Sequence, residues 1–373
     1  MKLILMATVA AAALSFASAS YAQVEQDYLS KGPIVIKNVT VIDGLGNKPV
    51  ARQDILVSDG KIAAIKETGE ISPPKGARLI DGSRLTAMPG LIDLHFHLKG
   101  GWTGGNVLQE KYSPMELLTH KAIQQGLAAM LYAGVTTGLD MGSTQSFIVR
   151  EKQKIDAGEY IAPRYHIVGV PFSQLPSGWD DAVRGETVGE PAPDALATKI
   201  DTEDAKAIGA ILQKYQDDGI NIIKLYSGIG AHAATFLIAE ADKRGMTTIA
   251  DLWKLNMSAD WMRTTNLDGW AHATPNPVSQ EGVEWMVKNN KFVVATMTIG
   301  EAMSGLRVRD EQGSEATFEN PLVVDIWGKE VVRDFYDSYP QLRNDLYVGP
   351  NSYYQRNKFG NLSQFRANFS RNI

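Results

Sequence analysis

Met88-Pro89-Gly90-Leu91-Ile92-Asp93-Leu94-His95-Phe96-His97 decides how this chain is read. It is an apolar run broken by Asp93 and closed by two histidines with one residue between them. In an extended strand, side chains two apart share a face, so His95 and His97 point one way and Phe96 the other. Two imidazoles one pleat apart can both reach one divalent cation, which suits zinc and its neighbours. Asp93 has the same parity and could brace a ligand histidine or sit lower along the strand. Taken alone, the pair fits satisfied or surface histidines as well as ligands. Its place at the end of a strand, directly after Pro-Gly-Leu-Ile-Asp, favours the metal.

Downstream of residue 86, short apolar runs alternate with helical stretches, the pattern of βαβ units and a parallel sheet. Candidate strands lie near Ala87 to His97, Gly134 to Met141, Arg164 to Val170, Ile220 to Tyr226, Thr247 to Trp253, Leu267 to Ala273 and Phe292 to Met297. Helical stretches fall between them at Met115 to Tyr132, Thr202 to Asp217 and Ala233 to Lys243. Such a series suits a (β/α)8 barrel of the TIM type, which usually takes about 250 residues. An eighth strand is not found before the chain stops, so the barrel is expected to be incomplete at the C-terminus, with Asn361 to Ile373 as a last helix. Strands at the open edges of such a barrel would expose unpaired backbone groups, and self-association through them is expected. The polar stretch Gly178 to Pro193 reads as a loop at the face where barrel active sites sit.

Upstream, residues 33–85 read as β-structure. Ile34-Val35-Ile36 and Val39-Thr40-Val41-Ile42 run into Asp43-Gly44, and Asp54 to Val57 runs through Ser58-Asp59-Gly60 into Lys61-Ile62-Ala63-Ala64-Ile65. Asp-Gly between apolar runs is a strong hairpin signal. After a break at Ile71-Ser72-Pro73-Pro74 comes a third Asp-Gly, Asp81-Gly82, and the expectation is a small antiparallel β-sandwich. The resulting division is 1–22 leader, 23–32 linker, 33–85 sandwich and 86–373 barrel.

Further candidate ligands lie at strand ends. Lys224 sits in Asn221-Ile222-Ile223-Lys224-Leu225-Tyr226. A free ammonium offers no lone pair, but the carboxylated side chain is an anionic oxygen ligand that can bridge two ions, and burial makes the reactive amine accessible. A strand-end lysine can equally be a salt-bridge partner. His272, in Trp270-Ala271-His272-Ala273, reads alone as a structural histidine, but beside the His95/His97 pair it sits where another ligand would stand. Asp251, ending Thr248-Ile249-Ala250-Asp251, could be a carboxylate ligand, a base or an N-cap. Tyr226 and His232, on either side of Ser227-Gly228-Ile229-Gly230, are the candidate substrate contacts, with a helix-start or solvated role as the other reading of His232. His120 and His166 fall within a helix and a strand and are set aside.

Composition bounds the rest. The chain has 373 residues, 37 Lys+Arg against 42 Asp+Glu, 44% hydrophobic residues and no cysteine. The net charge of −5 argues against nucleic acid as a partner, because phosphate binding needs a basic face. Without cysteine, any metal must be held by His, carboxylate or modified Lys. Lys2 followed by the Ala-rich run Leu3 to Leu14 and by Ser20-Tyr21-Ala22 reads as a secretory signal peptide, which implies a periplasmic or secreted protein. No later run reaches the roughly 18 apolar residues of a membrane span, so no membrane partner is expected once the leader is removed.

Together, Asp59-Gly60-Lys61-Ile62, the Pro89 to His97 run and Gly134-Val135-Thr136-Thr137 resemble the amidohydrolase superfamily, in particular its imidazolonepropionase-like and Xaa-Pro dipeptidase-like branch. The resemblance spans residues 33–373. It implies a metal-dependent barrel, one or two divalent cations such as Zn2+, and hydrolysis of C–N bonds in small substrates such as dipeptides or cyclic amides. It makes His95 and His97 the strand-one ligands, Lys224 the strand-four lysine, often carboxylated, and His272 the strand-six ligand. Two departures stand out. Asp251 occupies the place where the family has a strand-five histidine, and no strand-eight aspartate is found. A remnant that keeps a metal or ligand pocket without turnover is the alternative reading.

Overall fold

A computed structural model describes residues 32–98, 124, 126–142, 145–159, 161–169, 171–172, 205–226, 229–252, 259–272 and 278–296, with isolated positions 324, 329 and 333. The proposed leader, the loop at 178–193, His120 and the C-terminal helix lie outside the described residues. Two compact units meet in sequence between Gly90 and Leu91.

The first unit is one five-stranded sheet, built from β1 (Ile34–Val41), β2 (Val50–Ser58), β3 (Lys61–Glu67), β4 (Arg78–Asp81) and β5 (Thr86–Ala87). β1, β2 and β3 pair antiparallel. The β2–β3 hairpin turns at Asp59 and Gly60 with φ of 52° and 70°, the left-handed pair that matches strand twist. The expectation of an all-antiparallel arrangement fails beyond β3, because β4 and β5 both run parallel to β1. The cause lies in the connections. The stretch through Ile71-Ser72-Pro73-Pro74 is a crossover rather than a tight turn, so β4 starts from the same end as β1. Asp81-Gly82 is no hairpin either: the Gly82 N–H donates to the Lys37 carbonyl, and the chain runs on to pair with the second half of β1.

The second unit places seven parallel strands in the seven expected stretches. One sheet has the order β6 (Leu91–Phe96), β7 (Val135–Asp140), β8 (Arg164–Ile167). The other has β9 (Ile222–Leu225), β10 (Thr247–Ala250), β11 (Gly269–Ala271) and β12 (Phe292–Val294) in sequence order. Phe172, just past β8, forms a parallel bridge with Leu225 and so links the two runs of strands. β9, β10 and β11 are buried almost throughout, as expected of parallel strands covered on both faces.

Helices alternate with these strands: α1 (Gln145–Asp156), α2 (Ala205–Asp217), α3 (Ala231–Asp242), the short α4 (Ala259–Met262) and α5 (Gln280–Lys288). α2 buries Ile208, Leu212 and Tyr215, one stripe at helical spacing. α3 buries Ala234, Leu237, Ile238 and Ala241, and these pack with Ile223 and Ala250 in one core. α5 begins at Ser279, whose hydroxyl accepts from the Gly282 N–H at 3.1 Å.

Candidate metal centre

Strand register brings the site together. Leu225 aligns with Ala250, Ala250 with Trp270, and Ala271 with Val294. The residues at the C-terminal ends of β9 to β12 therefore sit along one rim: Lys224, Asp251, His272 and Thr296. The Asp251 N–H donates to the Leu225 carbonyl and the His272 N–H to the Val294 carbonyl, each at 2.9 Å, which fixes these two residues just beyond their strands. In the other run, Phe96 aligns with Asp140, and His97 follows at once.

The side chains named from the sequence are gathered here. The rings of His95 and His97 stand 5.3 Å apart between centroids, nearly perpendicular. His95 lies 4.4 Å from the ring of His272. His272 Nε2 is 3.6 Å from Asp251 Oδ2. Lys224 is buried, with Nζ over the ring of Tyr226 at 5.1 Å. Asp251 is buried too. Asp93 braces its neighbour through the backbone, accepting from the His95 N–H at 2.9 Å. His232 is exposed in the first turn of α3.

The contact between His95 and His272 constrains the shape of this unit. Five strand spacings separate β6 from β11 in the order β6-β7-β8-β9-β10-β11. At about 4.8 Å each, a flat sheet would hold them about 24 Å apart. Rings in contact at 4.4 Å require the strands to curve around a shared interior.

Hydrogen bonds orient two of the rings. His97 Nδ1 lies 2.8 Å from the Gly142 carbonyl oxygen. A carbonyl only accepts, so Nδ1 carries the proton and Nε2 is the nitrogen with the lone pair. His272 Nδ1 lies 2.7 Å from the Thr296 hydroxyl. Both residues of this second pair have left-handed backbone, with φ of 69° at His272 and 46° at Thr296. Such strain is rare for a β-branched residue, and it concentrates at functional sites. Neither Thr296 nor the Gly142 carbonyl stands out in the sequence. Their only signal there is position, at the ends of the strands next to those of His272 and His97.

Burial and nearby charge keep the His95 and His97 rings neutral. Burial, then the positive charge of Lys224, pushes His97 down to about 3, against the opposing pull of the Gly142 carbonyl. Burial, Lys224 and the two neighbouring histidines push His95 still further down. Neutral imidazole is the form that ligates a metal. His95 Nδ1 is also buried without a hydrogen-bond partner, a costly state for a ring nitrogen unless something takes its lone pair. The donor chemistry therefore fits a divalent cation. Among the described residues, no three His, Asp or Glu side chains form a closed ligand set. The rings instead pack edge-on and tilted against one another.

Residues 86–264 match the model of the amidohydrolase family. The chain is 46% identical over 65 residues to a dihydroorotase of Elusimicrobium minutum, a match covering 17% of this chain and 14% of that protein. It is 32% identical over 111 residues to an enamidase of Eubacterium barkeri, covering 29% and 25% respectively. The matched stretches thus span a quarter or less of these curated relatives. In three dimensions the chain is similar to a Xaa-Pro dipeptidase solved with bound methionine in its active site. The TM-score is 0.59 at 16% identity, with 90% of this chain and 87% of that one covered, which speaks for the fold. The amidohydrolase-family match thus lies over the parallel strands that carry His95, His97, Lys224 and Asp251.

Proposed function

We propose that this protein is a metal-dependent amidohydrolase that cleaves C–N bonds of small substrates, such as dipeptides or cyclic amides, with an activated water. One observation carries the reading: His95, His97, His272 and Asp251 converge from strands far apart in sequence. Relatives named dihydroorotase, enamidase and L-hydantoinase support C–N chemistry.

His95, His97 and His272 would hold a divalent cation of the zinc type, with Asp251 and, once carboxylated, Lys224 as further ligands. When bound, the cation would bring a water's pKa to about 7 and polarise the scissile carbonyl. The chain's own groups do the rest. Gly142 and Thr296 hold the imidazole rings in orientation. Asp251, buried beside His272, takes the water's proton at Oδ2 and returns it to the leaving nitrogen. Tyr226 and His232 are the proposed substrate contacts. The buried rim excludes bulk water from these transfers.

The curved run β6 to β12 supports a (β/α)8-type barrel, and the sheet at residues 34–87 is proposed as one layer of a β-sandwich. Export with removal of residues 1–22 is proposed from the leader pattern, and self-association from the strand edges. Edman sequencing of the exported protein should start at Gln23, and light scattering should find a species larger than a monomer.

The test pairs metal analysis with a hydrolysis screen of dipeptides and cyclic amides. The wild-type protein is expected to carry about one or two equivalents of divalent metal. His97→Ala should lose metal and turnover together. Asp251→Asn should lower turnover by about 10²–10⁴-fold if Asp251 moves the proton. A wild-type protein with neither metal nor turnover would end the proposal. Asp251, standing where the family has a strand-five histidine, favours a second reading, a pocket that binds metal or ligand without turnover. Metal without hydrolysis would select it.

A further inference from the structure

Asp140 is fully buried at the end of β7, yet the proposed chemistry makes no use of it. Its carboxylate instead organises everything around His97. Oδ2 accepts from the Leu98 N–H at 3.0 Å and from the Tyr165 hydroxyl at 2.8 Å. Oδ1 accepts from the Gly142 N–H at 3.0 Å. Those donors belong to the segment after His97, the segment after β7 and strand β8. The Phe96 carbonyl accepts from the Met141 N–H at 2.9 Å, so His97 is pinned through the backbone on both sides. Its ring is held by the carbonyl of Gly142, the same residue whose N–H is tied to Asp140.

Gly142 is fixed in its turn. Its φ is 138°, and a Cβ there would lie 2.6 Å from Pro171 Cγ. The carbonyl that meets His97 thus belongs to a glycine with little room to be anything else, aimed by the carboxylate that accepts from the same residue's N–H. Burying an anion is costly, and an apolar side chain would fill the same space without that cost. The carboxylate's return is geometric: two oxygens that accept from three segments at once, which no apolar residue can do.

We propose that Asp140 is the positioning residue for His97: through Gly142 it fixes the imidazole as the Nδ1–H tautomer and presents Nε2 to the metal. The proposal rests on reading His97 as a ligand, but its first consequence is visible without any metal.

The experiment is long-range 1H–15N NMR of the histidine rings in the full chain, with His97 assigned by its absence in His97→Gln. Wild-type protein without added metal should show His97 as the Nδ1–H tautomer. Asp140→Asn keeps the shape but leaves only one accepting oxygen, and should shift His97 toward a tautomer mixture. Zinc titration of the same samples should show affinity falling by about 10-fold or more in the variant. Tyr165→Phe removes one bond to Asp140 without touching Gly142, and should leave the His97 tautomer in place. An Nε2–H tautomer in wild-type protein overturns the proposal even if no variant folds. An unchanged His97 spectrum in folded Asp140→Asn overturns it as well. If the tautomer shifts but wild-type protein takes up no zinc, the positioning role stands and the proposed function fails.

Discussion

At His272 and Thr296 two strained residues meet through one hydrogen bond. Left-handed backbone costs of order 1–3 kcal/mol for each non-glycine residue, so the surrounding structure must hold both in place. Thr296→Val keeps the β-branched shape and removes only the hydroxyl. The expected result is an approximately 10-fold weaker zinc affinity with an almost unchanged melting temperature, read by zinc titration and thermal denaturation. Equal affinity would show that the hydroxyl does not orient the ring. The histidines themselves are legible in the sequence, because His95-Phe96-His97 fits strand parity and His272 follows an apolar run. Their partners are not. Gly142 lies 45 positions from His97 and Thr296 lies 24 from His272, and no local pattern marks either separation.

Single elements follow from local chemistry where their partners are close in sequence. The β2–β3 hairpin forms at its Asp-Gly, and α2 and α3 form on apolar stripes. β4 and β5 went the other way because orientation depends on the route of the connection, and apolar patterning is silent about route. The bulge in β1 shows a second kind of distant dependence. Asn38 has a left-handed φ of 57° and donates its N–H to Asp54 Oδ1 at 2.8 Å, while the Gly69 N–H donates to Asp54 Oδ2 at 3.1 Å. Burial would raise the Asp54 carboxyl, but these N–H groups and the charge of Lys37 outweigh it and hold it below its usual value. A lowered carboxyl stabilises the fold above the unfolded value of about 3.9 and loses that contribution as pH falls through the folded value. Asp54→Ala should cost about 1–3 kcal/mol at pH 7, since it strands two N–H groups. Its stability should also fall less than that of wild type between pH 5 and the acid limb, as followed by urea unfolding (about 1–3 kcal/mol/M is the usual slope for small proteins). Parallel acid curves would remove Asp54 from the account.

For the whole molecule, a ligand that binds only the folded state stabilises it by mass action. Zinc at about 100 times its dissociation constant should add about 2.7 kcal/mol to folding, seen as a higher melting temperature that a chelator reverses. A melt indifferent to both would contradict a metal centre built from His95, His97 and His272. The sequence by itself determined which side chains can donate to a metal, that they stand at strand ends, and that the strands run parallel, because each follows from residue type and from periodicity within a few positions. Only the tertiary structure decided that His95 on β6 and His272 just past β11 meet. That contact exists because Phe172 bridges the two runs of strands and the whole curves, closing a gap of about 24 Å in a flat sheet to ring contact. Curvature is the sum of small twists over many strands, and no single stretch of sequence carries it.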